Sequence, residues 1–380
     1  MASHIIAQNT RRLRREQDLT QEAAAEKIGI TRVAYRNIET GKSIPRADTL
    51  RNIAAAFEVD IQALVAPVQR LENTRFRARR RMNTRESVID AVAKRLHDFT
   101  ALEKLLKSVV PPAEHKLAQV AQELRKARAN NDRPQKAAEL VRKHLDLGTK
   151  ECIRDICGLL EDRAGIKVLS LARASEQFFG LSVAGNDVGP AIVVNTWDRI
   201  TVERWIFTAA HELGHLMLHQ GTYIIDEVED DKAQEKEADL FASHFLMPPD
   251  LFWSEWRETE GMDFVDRVLK VKSIFRVSYR TVLYRLQEST PIGKGIWVFF
   301  QKAYQNRYGK TLLKGQEPQP LPPGYFQASR LPRLVRKAVE GGHITVSRGA
   351  EILGLQLREM RELMKHWLKA PSGAADGHPA

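Results

Sequence analysis

Between residues 19 and 66 the apolar positions recur at helical spacing. Ala24, Ala25 and Ile28 form one short stripe, and Val33, Ala34 and Ile38 form a second. Thr20 precedes the first stripe, with Gln21 and Glu22 in its opening turn; Gly29 closes it and Thr31 opens the second. A side-chain oxygen ahead of each helix and a glycine between them predict two capped helices joined by a tight turn. In that arrangement Arg32, Tyr35 and Arg36 face outward near the start of the second helix.

The pattern then changes along the chain. After the Arg-rich run "RFRARRRMNTRES", helical periodicity holds through "VIDAVAKRLHDFTALEKLL", breaks at "VVPPAEH", and resumes in two amphipathic helices. "CIRDICGLLEDRAG" reads as a helix ended by Gly165, whereas "IKVLSL", "FFGLSVA" and "AIVVN" read as short strands. Two polar-bearing helical stretches and "VSYRTVLYRLQES" follow. Past Pro291 come the Pro/Gly-rich "KGQEPQPLPPGYF" and a helix-turn-helix-like pattern from Leu331 to Trp367; the last residues, "APSGAADGHPA", are expected to be disordered. These shifts divide the chain into segments 1–67, 68–150, 151–290 and 291–380, the second a candidate linker or dimerisation region.

Composition narrows the class. The 380 residues suffice for two to four compact units, with 43% hydrophobic and 28% charged residues, as in ordinary globular domains. No run of 18 apolar residues occurs, so no membrane span is expected, and the N-terminus has no apolar stretch of the secretory kind. Cys152 and Cys157 make no disulfide framework, and the expected compartment is the cytoplasm. A net charge of +11 fits phosphate-bearing partners, yet fits solvated arginines equally well.

The chemistry concentrates in "FTAAHELGHLMLHQ", residues 207–220. His211 and His215 are four apart, one helical turn on one face, as a pair of zinc ligands requires. Glu212 lies beside them, where a general base for a metal-bound water belongs. Ala209, Ala210 and Gly214 are small and permit close packing. A catalytic zinc needs a third protein ligand. His219 continues the same face, but three ligands on one straight helix cannot converge on a tetrahedral ion. Gly221 stands where the longer His-Glu-x-x-His-x-x-Gly-x-x-His pattern needs its histidine. The run "DDKAQEKEADLFASHFLMPPDLF" offers carboxylates instead. Glu235 and Asp239 share a face, placing Glu235 to ligate and Asp239 to orient an imidazole. Glu237 projects about 200° around the helix from Glu235, so only one of the two can face the metal, and Glu235 is preferred.

Two resemblances follow from these residues. "LTQEAAA…IGITRVAYRNIETGKSIPRADTLRNIAAAF" resembles the Cro/repressor-like (Xre) helix-turn-helix family over about 60 residues. The resemblance implies that Gln21 and Thr31 contact phosphate or a base edge, that Arg32, Tyr35 and Arg36 read bases, and that a homodimer sits on a pseudo-palindromic double-stranded operator. "RWIFTAAHELGHLMLH" followed by "EKEADLFASHFLMP" resembles the ImmA/IrrE metallopeptidases over roughly residues 150 to 290. That likeness implies Zn2+ held by His211, His215 and Glu235, Glu212 as base, and Asp239 where the family often has Asn. His219, Arg204 and Tyr223 are candidates for a transition-state-stabilising group, each more readily structural. An extended substrate is expected to pair with an open sheet edge, with "AIVVN" the candidate strand.

The expected fold is mainly α, with an N-terminal all-α helix-turn-helix domain and a small α+β zincin-like metallopeptidase domain. The expected function is a transcriptional regulator whose zinc endopeptidase cleaves a repressor-like protein, or itself, in stress or mobile-element regulation. The alternative is a transcription factor or antitoxin-like regulator whose peptidase-like domain senses a ligand or partner without turnover. The C-terminal helices resemble small antitoxin-like or winged helix-turn-helix pieces, and read equally as a packing or dimerising tail. The Arg-rich run after residue 74 is a candidate for DNA phosphate contact.

Overall fold

The computed structural model describes residues 2–17, 19–65, 74–78, 85–108, 120, 122–124, 132–172, 178–184, 188–219, 232–289, 293, 295–313 and 315–369. The chain forms two compact units, residues 1–72 with 78–97, and residues 73–77 with 98–380.

The first unit contains α1 (Ala2–Glu16), α2 (Gln21–Ile28), α3 (Arg32–Glu39), α4 (Ala47–Phe57) and α5 (Ile61–Val65), and the opening of α6 (Arg85–Leu105). Thr20 Oγ1 accepts from the Ala23 amide at 3.1 Å and Thr31 Oγ1 from the Ala34 amide at 3.2 Å, so each threonine caps its helix. Gly29 takes the left-handed conformation, φ +79°, that the turn between α2 and α3 requires. Ala24, Ala25 and Ile28 enter a core with Ile6, Leu13, Ile53, Phe57 and Leu64.

One inward-facing assignment is corrected. Tyr35 is fully buried, whereas Val33 is 68% exposed. The buried face of α3 runs through Tyr35, Ile38 and Glu39, at spacings of three and four. Val33 lies about 200° around the helix from Tyr35, so burying the larger ring turns the valine out. Glu39 is a buried anchor of this unit: its Oε1 accepts from Arg14 Nη2 at 2.8 Å and Nε at 3.2 Å, and its Oε2 from Gln21 Nε2 at 2.6 Å.

The second unit is built on a sheet of order β1-β3-β4-β2, with β1 Thr74–Ala78, β2 Lys167–Ser170, β3 Phe178–Val183 and β4 Ala191–Val194. β2 runs parallel to β4 from Lys167↔Ala191 to Ser170↔Val194, and β3 runs antiparallel to it from Gly180↔Val194 to Val183↔Ala191. β4 is therefore hydrogen-bonded on both sides. The expectation that "AIVVN" offers an open edge is corrected; the outer positions belong to β1 and β2. The Arg-rich run contributes β1, and its side chains lie outside the described residues, as do the tail from 370 and the whole of "VVPPAEH".

The helices of this unit are α7 (Arg133–His144), α8 (Ile156–Gly158, continuing as a π-helical turn Leu159–Arg163), α9 (Val202–Leu218), α10 (Lys232–Leu246), α11 (Pro249–Glu258), α12 (Phe264–Phe275), α13 (Tyr279–Ser289) and α14 (Gly295–Tyr308), and α9 packs directly on the sheet. Three more close the described chain, α15 (Arg330–Glu340), α16 (Val346–Leu353) and α17 (Leu357–Lys369). A single core runs from Val120 and Val141 through Val194, Ile206 and Phe245 to Phe300 and Phe326, so the compositional boundaries at 150 and 290 do not divide it. Buried ion pairs stitch the same parts. Glu103 meets Arg330 at 2.7 Å and Lys167 at 3.3 Å, while Lys272 meets Glu203 at 2.9 Å and Glu317 at 3.0 Å. No helix among the described residues is long and apolar enough to cross a membrane.

Candidate metal centre and helix-turn-helix face

α9 lies against β3 and β4 on one side and α10 on the other, and two glycines set those distances. A Cβ on Gly180 of β3 would come 2.6 Å from Thr208 Cγ2, 2.9 Å from Val193 O and 3.3 Å from Glu212 Oε1. A Cβ on Gly214 would come 2.9 Å from Phe241 Cδ1 and 3.3 Å from Ala238 Cα on α10. Without side chains there, α9 is held close to both neighbours.

This approach brings Glu235 to the histidines. His211 Nε2 and His215 Nε2 are 2.9 Å apart; Glu235 Oε1 lies 3.0 Å from the second and Oε2 3.3 Å from the first. Both imidazoles are fully buried, and the glutamate side chain is 20% exposed.

The outer nitrogens decide what these atoms can bind. His211 Nδ1 sits 2.7 Å from Asp239 Oδ1, an acceptor, so Nδ1 carries the proton and Nε2 presents a lone pair. His215 Nδ1 is 2.9 Å from His219 Nδ1, and His219 Nε2 is 3.0 Å from Glu237 Oε2. Glu237 can only accept from His219 Nε2–H, which leaves His219 Nδ1 to accept from His215, and His215 Nε2 is again a lone pair. Arg133 backs the chain, at 3.4 Å from Glu237 and 3.1 Å from the Leu218 carbonyl. Two lone pairs and a carboxylate converging this closely form a donor set suited to a cation. A tetrahedral ion with bonds near 2.0–2.1 Å spaces its ligand atoms by about 3.3 Å, close to the separations seen. Among the described residues these three form the His/Cys/Asp/Glu group with metal-holding geometry.

The residues expected at the centre therefore meet there, and Glu235 rather than Glu237 faces the histidine pair. Glu212 is buried on the β3 side of α9. The partnership of His219 and Glu237 was not anticipated, although the four-residue step from His215 to His219 was its signal. Arg204 stacks over Phe179 at 4.8 Å and Phe207 at 5.9 Å, and Tyr223 lies outside the described residues.

In the first unit Arg32, Val33 and Arg36 are all exposed on α3. Thr31 is exposed at the helix start, while Gln21 is half-buried with its amide nitrogen on Glu39. Tyr35 is withdrawn from this face. Its ring fills the core, and its hydroxyl lies 3.5 Å from the Thr10 carbonyl.

A capped helix-turn-helix and a His-Glu-x-x-His helix with a downstream glutamate thus share one chain. Comparison with known proteins gives the same two parts: residues 11–64 match the helix-turn-helix family, and residues 161–287 match the IrrE N-terminal-like domain of the peptidase family. Each match covers one part of the chain. It is 36% identical over 61 residues to the uncharacterized HTH-type transcriptional regulator YqaE of Bacillus subtilis, 16% of this chain and 53% of that one; the chain spans about half the length of this curated relative. Among solved structures, Bacillus thuringiensis PlcR in complex with the peptide PapR7 and DNA is 14% identical, with a TM-score of 0.20, over 97% of this chain and 100% of that one. Apo ComR from S. Thermophilus is 13% identical, with a TM-score of 0.16, over 96% and 99%. Similarity at that level carries no argument about architecture.

Proposed function

We propose that this protein is a DNA-binding transcriptional regulator with a zinc-dependent endopeptidase domain, acting on a repressor-like protein. The observation that carries the peptidase reading is the convergence of His211 Nε2, His215 Nε2 and Glu235, with Glu212 alongside on the same helix. In this reading His211, His215 and Glu235 hold Zn2+, which when bound polarises a scissile carbonyl and acidifies water. Glu212 would serve as the base, holding a proton between the attacking water and the leaving amine. Asp239 and His219 hold the two imidazoles in the tautomers that leave Nε2 free to bind metal. On the DNA side, Arg32 and Arg36 supply charge and guanine recognition, and Val33 is suited to a thymine methyl. A homodimer that places α3 of each copy on one of two half-sites is the geometry this reading takes.

The test pairs metal analysis with cleavage. The purified full chain and Glu212→Gln are assayed for bound zinc and for proteolysis of repressor-like proteins encoded beside it. Equal zinc in both, with cleavage by the wild type alone, is the expected result. Zinc in both with cleavage by neither sinks the protease reading for those substrates, and absence of zinc from the wild type overturns the metal site.

A further inference from the structure

The turn between α2 and α3 is repeated, residue for residue, near the other end of the chain. Thr345 caps α16 as Thr20 caps α2: its Oγ1 accepts from the Arg348 amide at 3.2 Å, against 3.1 Å for Thr20 and Ala23. Both helices have eight residues, and both end on a left-handed glycine, Gly29 at φ +79° and Gly354 at φ +68°. The residue after each glycine returns its amide to the helix, Ile30 to Ala25 O at 3.0 Å and Leu355 to Ala350 O at 2.9 Å. The second helix then starts alike, with Tyr35 N on Thr31 O at 2.9 Å and Met360 N on Gln356 O at 3.0 Å. Tyr35 and Met360 are both fully buried.

The packing behind the turn matches too. Small residues occupy the same place in the first helix, Ala24 in α2 and Gly349 in α16. A Cβ on Gly349 would come 3.0 Å from Met360 Cε, 3.0 Å from Val339 Cγ2 and 3.2 Å from Val335 Cγ1, so α15 braces the pair. Arg36 and Arg361 occupy equivalent exposed positions, and Arg358 stands where the first unit has Val33.

We propose that α16 and α17 form a second helix-turn-helix, which presents α17 to the major groove of duplex DNA. The exposed start of α17 carries Gln356, Leu357, Arg358 and Arg361, and Lys365 follows one turn on. Its two acids are already engaged, Glu359 on the Gln356 amide at 2.7 Å and Glu362 on Lys365 at 2.8 Å. Arg358 and Arg361 have no carboxylate partner among the described residues, so the net field at the helix start is positive. A face of arginines and a glutamine around one half-exposed leucine suits phosphates and base edges, whereas a protein interface concentrates apolar and aromatic side chains at its centre. This inference extends the reading of the chain as a DNA-binding regulator to a second contact.

The experiment lets the full chain select duplexes from a randomised pool of about 40 base pairs, long enough for half-sites several turns apart. Fluorescence anisotropy on an enriched duplex then compares wild type, Arg32→Ala/Arg36→Ala and Arg358→Ala/Arg361→Ala, each checked for folding by circular dichroism. The C-terminal pair is expected to weaken binding about tenfold or more and to lower the slope of log affinity against log salt by about one to two. Arg358→Lys/Arg361→Lys is expected to restore the slope but not the selected bases. Wild-type affinity, slope and selected sequence in the C-terminal alanine pair overturn the proposal, whatever the N-terminal pair does. So does a C-terminal pair that keeps DNA affinity but loses a dimer by light scattering, which assigns the face to a second copy of the chain. Loss in the C-terminal pair with none in the N-terminal pair keeps this proposal and sinks the N-terminal reading, while a wild type that selects no duplex overturns both.

Discussion

Gly214→Ala sets two effects of known size against each other on the helix that carries the histidines. Alanine is the better helix former by about 1 kcal/mol. Its methyl, however, would meet Phe241 Cδ1 at 2.9 Å, Phe241 Cγ at 3.2 Å and Ala238 Cα at 3.3 Å. Carbon contacts are comfortable from about 3.5 Å, so α10 must retreat by roughly half an ångström. Neither obstacle is a flexible tip, because Ala238 Cα is backbone and the Phe241 ring is fully buried and stacked on Phe245 at 5.6 Å. Overpacking of this kind costs about 1–3 kcal/mol, which exceeds the gain in propensity and leaves a net loss of about 1 kcal/mol. The unfolding midpoint is expected to fall by about 2–4 °C. Glu235 lies one turn from Ala238 on the same helix, so the retreat also draws its carboxylate from the histidine pair. Zinc affinity, measured by competition with a chromophoric chelator, is expected to fall with the midpoint. Gly214→Ala/Phe241→Leu, which removes part of the obstacle, should recover part of both. A raised midpoint with unchanged zinc affinity would show that α10 is not held by this contact.

Three shorter predictions follow. His219→Ala removes the acceptor that fixes His215, and zinc affinity is expected to drop about 10- to 100-fold in the same competition assay; an unchanged affinity removes His219 from the site. Burial pushes the Glu161 carboxyl up to about 8, against an ordinary value of 4.5. Between those values the folded chain keeps a proton that the unfolded chain has lost, so stability falls as pH rises, by up to about 1.4 kcal/mol per pH unit. Glu161→Gln preserves an acceptor for the Ser329 and Arg330 amides and should flatten that slope in urea unfolding between about pH 5 and pH 8; parallel slopes in the two proteins refute this. Tyr35→Ala should cost about 3–5 kcal/mol of first-unit stability and Val33→Ala no more than about 0.5, reversing what an outward tyrosine requires; thermal melts of the two variants decide.

Much of the helix-turn-helix and the metal centre was legible because both rest on short-range rules. Threonine caps, a left-handed glycine and a four-residue histidine step act within one or two turns, and Thr20, Gly29, Thr31, His211 and His215 stand where those rules put them. Glu235 could be favoured over Glu237 because both lie on one helix, where a two-residue step turns a side chain away. Tyr35 and Val33 were exchanged because each is compatible with either face, and only the tertiary core of the first unit, which takes in the larger ring, decides between them. The place of "AIVVN" inside the sheet could not be read, since a fully apolar run fits an edge or a centre, and strand order depends on pairings between distant segments. The buried ties of Glu103 to Arg330 and of Glu203 to Lys272 carry no local pattern at all. They appear only when segments far apart in sequence come together.

The core from Val120 to Phe326 separates what is inherited from what folds. The stretch that matches the IrrE N-terminal-like domain, residues 161–287, is shorter than the body it belongs to. Cutting there strips Phe300 from Tyr279, with their rings stacked at 5.1 Å, and Phe326 from Trp205 at 6.1 Å. It also deprives Glu203 and Lys272 of Glu317 and the 318–321 backbone, and Lys167 of Glu103. Such a fragment would expose aromatic surface and strand buried charges, and its natural fate is aggregation. The histidine helix is therefore a tenant of the longer chain, and any transplant of its chemistry must carry the flanking helices with it.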